Sequence, residues 1–147
     1  MAGAESAAGK EKLHCRAVFF VEDAERSLAH YTEKLGFTLD WNYQEQDRAF
    51  VFQVSLMGIE LIINQAESWT ESRAGHGRVF IGLEDTQVAS LRRHIRDKDI
   101  EVRRFHWGAP TLVICDLDGN ELFFWIPEQE LAGFGDLVGY REKAGEQ

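Results

Sequence analysis

The chain contains little cysteine and no long hydrophobic run, and each absence excludes a class of protein. Only two of its 147 residues are cysteines, Cys15 and Cys115, so a disulfide framework is excluded. Both fall inside predicted strands, where buried free thiols are expected. No apolar stretch approaches the length of a membrane span, and residues 1–12 lack the apolar segment of a signal peptide. We therefore expect a cytoplasmic protein with no membrane partner.

Basic residues and familiar catalytic motifs are also scarce. Sixteen Lys and Arg residues face 25 Asp and Glu residues, which gives a net charge of −9. Nucleic-acid-binding proteins normally carry a basic surface, so nucleic acid is excluded as a partner, and a cationic small molecule suits this charge better. The sequence has no glycine-rich phosphate loop, nucleophile elbow or Cys-x-x-Cys motif, and no Ser-His-Asp set can be assembled from it.

The strongest local signal is the stretch DLDGNELFFWIP, from Asp116 to Pro127. Residues 118–120, Asp-Gly-Asn, predict a tight turn, because glycine readily adopts a positive φ. The aromatic run at 122–126 predicts a mostly buried strand after the turn. A second β-rich run at 111–115 lies just upstream, so the two runs together predict a hairpin.

This hairpin has a counterpart earlier in the chain. SLMGIELIIN at 55–64 aligns with DLDGNELFFW at 116–125, and HCRAVFFVED at 14–23 aligns with HGRVFIGLED at 76–85. A helical pattern of apolar residues follows the second match in both halves. Because the elements match in the same order, the sequence indicates one unit of about fifty residues that is used twice.

Each unit is predicted to have the order βαβββ, which makes the fold α+β. The first unit has strands at 14–21, 37–43, 49–56 and 59–64 and a helix at 24–35 capped by Asp23. The second has strands at 78–83, 100–105, 111–115 and 122–126 and a helix at 86–97 capped by Asp85. Pro110 is expected in a loop or bulge, because it cannot donate a ladder hydrogen bond. We predict one domain at 13–127, with repeats 14–64 and 76–127, a disordered segment at 1–12, and a tail at 128–147 with a short helix around 129–134.

Two motifs within this frame carry a family resemblance. VED-x-x-x-S-L-x-x-Y-x-x-x-L-G-F at 21–37 and D-x-D-G-N-E-L-x-F at 116–124, on paired βαβββ units, resemble the vicinal oxygen chelate superfamily. That superfamily includes glyoxalase I, extradiol dioxygenases and the bleomycin-resistance proteins. Trp107-Gly108 is similar to the W-G element of the bleomycin-resistance branch. The resemblance implies that each sheet curls around a cleft, and that a homodimer builds each cleft from both chains.

The resemblance also implies where a metal would bind. Metal-using members place one ligand on the first and one on the fourth strand of each unit, positions that fall here on Arg16, Glu60, Arg78 and Phe123. Arginine is permanently cationic and phenylalanine has no donor atom, so no metal cofactor is expected. These four residues and Trp125 should share the cleft-facing side of their strands. A lone carboxylate there would be costly, so we expect a cluster of Arg16, Glu60 and Arg78 in place of the metal.

Other interpretations of these residues stay open. Arg16 and Arg78 could be solvated residues at strand starts, and the aromatic residues could fill an ordinary core. His14 and His76 occupy equivalent positions, so a shifted site of His14, Glu60 and His76 could hold Zn, Ni or Fe. Two residues along a strand span about 6.6 Å, which is a large displacement from the family's metal position.

Two main functions follow from these interpretations, and a binding module for an unknown metabolite is the third. The first is a metal-free protein that binds and sequesters a bleomycin-type antibiotic, stacking a flat cationic aromatic ligand on Trp107, Trp125 and Phe123. Trp41 joins this set, although its strand face is ambiguous. The alternative is a metal-dependent enzyme, either a glyoxalase-like lyase or isomerase or a dioxygenase, that uses the shifted histidine site.

Overall fold

Two four-stranded sheets form the frame of the structure, a computed structural model that describes residues 13–106 and 110–135. The first sheet contains β1 (Ala17–Val21), β2 (Thr38–Glu45), β3 (Arg48–Leu56) and β4 (Ile59–Gln65), in the spatial order β1-β4-β3-β2. The second contains β5 (Arg78–Ile81), β6 (Arg103–His106), β7 (Pro110–Cys115) and β8 (Glu121–Trp125), in the order β5-β8-β7-β6. In each sheet the first strand pairs in parallel with the last and the other pairs are antiparallel. The predicted α+β fold of two βαβββ units is confirmed.

Each unit places a helix after its first strand. α1 (Ala24–Ala29) continues into a π-helical turn at His30–Lys34, and Asp23 caps it by accepting backbone hydrogen bonds of 3.0 and 3.2 Å. α2 (Asp85–Lys98) is capped by Glu84 and not, as predicted, by Asp85. Glu84 is the last extended residue, and its backbone N–H donates to the Gln87 side chain at 2.8 Å.

Several other boundaries can be compared with the sequence-based predictions; β6, for example, was predicted to start at residue 100 and begins at Arg103. β1 begins at Ala17, where its ladder with Leu61 starts, so Cys15 precedes the strand and is exposed, contrary to the expected buried thiol. Pro110 is not in a loop or bulge but begins β7, and the first position of a strand tolerates the missing N–H. The helix expected around 129–134 is present as a 3-10 helix at Glu128–Phe134. Trp107 and Gly108 lie outside the described residues.

One hydrophobic core joins the two units. The inward faces of both sheets and of both helices contribute to it, with Phe19, Tyr31, Phe52, Leu91, Leu122 and Phe124 among the fully buried side chains. Because each sheet gives one face to this shared core, its other face points away from the core. We call the face that points away from the core the open face of each sheet. Within the described part of the chain, no helix is long and apolar enough to cross a membrane.

The carboxylate of Asp116 joins the two units at the start of the final turn. Its Oδ1 accepts backbone hydrogen bonds of 2.9 to 3.0 Å from the three residues 118–120. Its Oδ2 accepts the hydroxyl of Tyr31, from the first unit, and the side-chain amide of Asn120, both at 2.9 Å. Asn120 extends the contact by donating to the Phe20 carbonyl at 3.1 Å. A buried carboxylate is therefore supplied with five donors from both units.

Burial, followed by the nearby Asp116 charge, raises the pKa of Tyr31 well above its ordinary value, so Tyr31 acts as a hydrogen-bond donor. We expect Tyr31→Phe to lower the free energy of unfolding by about 1–3 kcal/mol, because one oxygen of the buried Asp116 loses its hydroxyl donor. Urea denaturation measures this change. Tyr43→Phe is the matched control, since it removes an exposed hydroxyl from its hydrogen bond to Glu45. Equal effects of the two variants would contradict a structural role for the Tyr31 hydroxyl.

Candidate functional site

The alternation of side chains along the strands determines what each open face carries. In the first sheet, Leu61 and Ile63 point into the core, so Glu60 and Ile62 point outward, and the register places Ser55 and Gln53 beside them. In the second sheet, Leu122 and Phe124 point inward, so the alternate residues of β8 point outward. The residues that matter below are Arg16, Trp41 and Glu60 on the first open face, and Arg78, Glu121, Phe123 and Trp125 on the second.

An ion pair is repeated at equivalent positions of the two units. The Nε atom of Arg16 lies 3.1 Å from the Oε1 atom of Glu60, and the Nε atom of Arg78 lies 2.9 Å from the Oε1 atom of Glu121. The second contact is a hydrogen bond, whereas the Nε–H of Arg16 is not directed at its acceptor, so the first is an ion pair only. The two arginines and the two glutamates align in the repeat, so the same ion pair occurs in both units.

The predicted cluster of Arg16, Glu60 and Arg78 is therefore only partly present. Glu60 and Arg16 come together as expected, but Arg78 has a carboxylate of its own in Glu121. Sequence reasoning missed Glu121 because the family's ligand position was counted onto Phe123. The signal was present, since aligning the two glycine turns places Glu60 opposite Glu121. Both pairs are half-exposed, with Arg16 and Glu60 side chains 26% and 40% accessible.

The aromatic residues of the second open face differ in their exposure. Phe123 is 2% exposed, and the guanidinium of Arg78 lies 4.4 Å from the centre of its ring. This contact covers a ring face that was expected to stack on a ligand. Trp125, two residues further along β8, is 40% exposed and presents its indole on the same face. Trp107, the other expected anchor, lies outside the described residues.

A β-bulge determines the face of Trp41. The pairing of β2 with β3 shifts between Leu39 and Trp41, so that Leu39 lies opposite Val54 and Trp41 lies opposite Gln53. The extra residue, Asp40, turns its side chain to the same face as Trp41. Trp41 is 43% exposed on that face. The bulge therefore places Trp41 on the first open face, which the sequence alone left ambiguous.

Hydrogen bonds connect Asp40 and Trp41 through the side chain of Gln53. The amide nitrogen of Gln53 donates to Asp40 at 2.9 Å, and its oxygen accepts from the indole Nε1 of Trp41 at 3.3 Å. Ser55 donates to the other Asp40 oxygen at 2.9 Å. Tyr43 lies two residues after Trp41 in β2, and its hydrogen bond to Glu45 raises the pKa of Tyr43. A polar network therefore sits beside an exposed indole.

The donor set does not fit a resident divalent metal. His14 and His76 are both exposed, and the described residues include no group of three or more His, Cys, Asp and Glu side chains placed to hold a metal ion. The shifted site of His14, Glu60 and His76 is therefore not assembled in the described structure. The first-strand positions where the resemblance would put a metal ligand carry the guanidinium groups of Arg16 and Arg78, which would repel a cation.

A cleft of about 410 Å³ lies between the turn that joins β3 to β4 and the end of β5. Glu60 lines it together with apolar side chains from both units, among them Met57, Ile59, Val79 and Phe80. The cleft adjoins the first ion pair through Glu60.

The chain was compared with known structures and curated proteins. The bleomycin-binding protein of Streptomyces verticillus, complexed with copper(II)-bleomycin, is 17% identical with a TM-score of 0.59, covering 80% of this chain and 98% of its own. An antibiotic-binding protein from Streptomyces sp. CB03234 is 18% identical with a TM-score of 0.53, with the same coverage. The lactoylglutathione lyase of Agrobacterium tumefaciens is 14% identical with a TM-score of 0.51, covering 79% and 95%. No curated protein matches the sequence.

Binding proteins and an enzyme thus share this fold at comparable and low identity, so structural similarity alone does not choose between them. The sequence itself matches a family model over residues 13–122, which covers the first repeat and most of the second, including the final turn. The chain belongs to the glyoxalase/bleomycin resistance protein/dioxygenase superfamily.

Proposed function

We propose that the protein binds and sequesters a flat, positively charged aromatic molecule of the bleomycin type, without a metal and without chemistry. The observation that carries this proposal is the repeated ion pair. Arg16 and Arg78 occupy first-strand positions where metal-using relatives would supply ligands, and each is paired with a carboxylate, Glu60 or Glu121. Binding without turnover needs no metal ligands at these positions.

The exposed aromatic side chains supply the means of binding. Trp41 and Tyr43 lie on the first open face, and Phe80 and Trp125 lie on the second, all at least 40% exposed. Indole and phenyl faces stack on flat heteroaromatic rings and attract cations. The net charge of −9 favours the approach of a cationic ligand. Stacking with charge attraction therefore supports an antibiotic-type ligand better than an anionic metabolite.

We also propose that the binding unit is a homodimer. Both open faces point away from the single core, so one chain offers two separate surfaces that carry exposed aromatic residues. A second copy could close each surface into a cleft and remove apolar area from water, which favours association. The predicted location in the cytoplasm remains a prediction.

We expect sedimentation velocity at micromolar concentration to show a dimer, because the open faces are completed only by a partner. The substitution Trp125→Glu should shift the population towards monomer, since it places a charge on an exposed apolar face. Trp69→Glu is the control, because Trp69 is exposed in the segment between the units. A strictly monomeric parent protein would contradict the proposal.

The ion pair of Arg16 and Glu60 should contribute modestly to stability. Removing one partner of a buried pair typically costs about 3–5 kcal/mol. This pair is half-exposed, so we expect a coupling energy of only about 0.5–1 kcal/mol from the double-mutant cycle of Arg16→Ala and Glu60→Ala. Thermal or urea unfolding measures it. Additive effects of the two substitutions would show that the groups do not interact.

The proposed function predicts that metal-free bleomycin binds with micromolar or tighter affinity and changes the tryptophan fluorescence. Trp125→Ala should weaken binding about tenfold or more, because a stacking surface is lost. Trp107→Ala tests the sequence-based anchor in the same way, and Trp69→Ala serves as the control for the fluorescence signal. No binding, together with stoichiometric Zn, Ni or Fe in the purified protein, would favour a metal-dependent lyase instead.

A further inference from the structure

We propose that Asp40 and Trp41 form a cation-recognition point on the first open face, where the positively charged group of the ligand binds between the carboxylate and the indole. This inference rests on the proposed function and specifies which residues read the charge of the ligand. The ligand expected there is a small molecule with a delocalised or quaternary cation, such as an aromatic N-alkyl cation.

The bulge in β2 is the first observation behind this assignment. In a regular strand, consecutive side chains point to opposite faces, so a carboxylate and an indole at neighbouring positions would be separated by the sheet. The register shift between Leu39 and Trp41 breaks that rule. Asp40 consequently reaches Ser55 and Gln53 on the face where Trp41 is exposed. Bulges commonly re-aim a side chain near a functional site.

The hydrogen bonds around Gln53 fix both groups before any ligand arrives. An indole Nε1–H can only donate and a carboxylate can only accept, so the amide of Gln53 must turn its oxygen to Trp41 and its nitrogen to Asp40. Gln53 is 7% exposed, which limits its own movement. The indole and the carboxylate are therefore held at a fixed spacing, which reduces the entropy lost on binding.

The charge of Asp40 is the third observation. Its two oxygens accept hydrogen bonds from Gln53 and Ser55, which are both neutral. Among the ion pairs of the described residues, none includes Asp40. An exposed carboxylate without a cationic partner lies beside a half-exposed indole, the side chain that attracts cations best. The Asp40 carboxylate and the Trp41 indole together favour a positively charged ligand, whereas the indole alone would bind a neutral ring as well.

A matched pair of small probes tests this inference on the full-length protein. 1-Methylnicotinamide is a flat aromatic cation, and nicotinamide is its neutral counterpart with the same ring. Titrating each against the ¹⁵N-labelled protein, we follow the indole N–H resonance of Trp41, identified by its disappearance in Trp41→Phe. We expect saturable shifts with the cation and binding of nicotinamide that is weaker by about tenfold.

Substitutions at Asp40 distinguish recognition of charge from simple stacking. Asp40→Asn should weaken binding of the cation about tenfold and leave nicotinamide unaffected, while Asp40→Glu should restore part of the preference. Asp47→Asn is the control: it removes the same charge from the same hairpin, at an exposed turn residue with φ 62° that asparagine tolerates. Equal shifts by both probes, or an unchanged response in Asp40→Asn, would overturn the inference.

Bleomycin binding, measured on the same variants, separates the two proposals. If 1-methylnicotinamide binds at Trp41 but metal-free bleomycin does not bind, the cation-recognition point stands and the proposed antibiotic function fails. If bleomycin binds while Asp40→Asn changes neither ligand, the proposed function stands and the role of Asp40 fails.

Discussion

The buried carboxylate of Asp116 is the constraint on which the rest of the structure depends. A charge removed from water is tolerated only when donors surround it, and here the donors come from the final turn and from Tyr31 in the other unit. Satisfying that carboxylate fixes helix α1 against the hairpin of β7 and β8. The arrangement places both helices in one core and leaves one face of each sheet turned away from it. The open faces, which carry the candidate site, are the faces that this shared core leaves uncovered.

The duplicated unit explains why the two open faces resemble each other and where they differ. Each face keeps an arginine from the start of its first strand and a glutamate from its fourth strand. Around these equivalent pairs the side chains have diverged. In the second unit Arg78 also covers Phe123, whereas in the first unit the bulge at Asp40 creates a polar network with an exposed Trp41. The same arrangement of strands and ion pair thus supports two surfaces of different chemistry.

The sequence predicted the fold well because the fold depends on patterns that repeat. Alternating apolar residues, the cap at Asp23 and the glycine turns each specify local structure, and their recurrence specified the two sheets. The site was predicted less completely, for physical reasons. Glu121 was missed because a ligand position was counted along one strand, although the repeat aligned it with Glu60. The face of Trp41 could not be derived, because a bulge depends on pairing between strands and leaves no periodic signal.

The hydrogen bond between Tyr31 and Asp116 joins residues 85 positions apart, which affects how the chain is made as well as how it is held. Ribosomes add roughly 5–20 residues each second, so Tyr31 emerges about 4–17 s before its acceptor exists. In the later part of that interval, once Gln65 has been added, the first unit has all of its strands but lacks the turn that satisfies the Tyr31 hydroxyl. The first unit is consequently incomplete at this stage, and its apolar surface is covered only when the second unit has been made. Synthesis of the final hairpin is the step that completes the molecule.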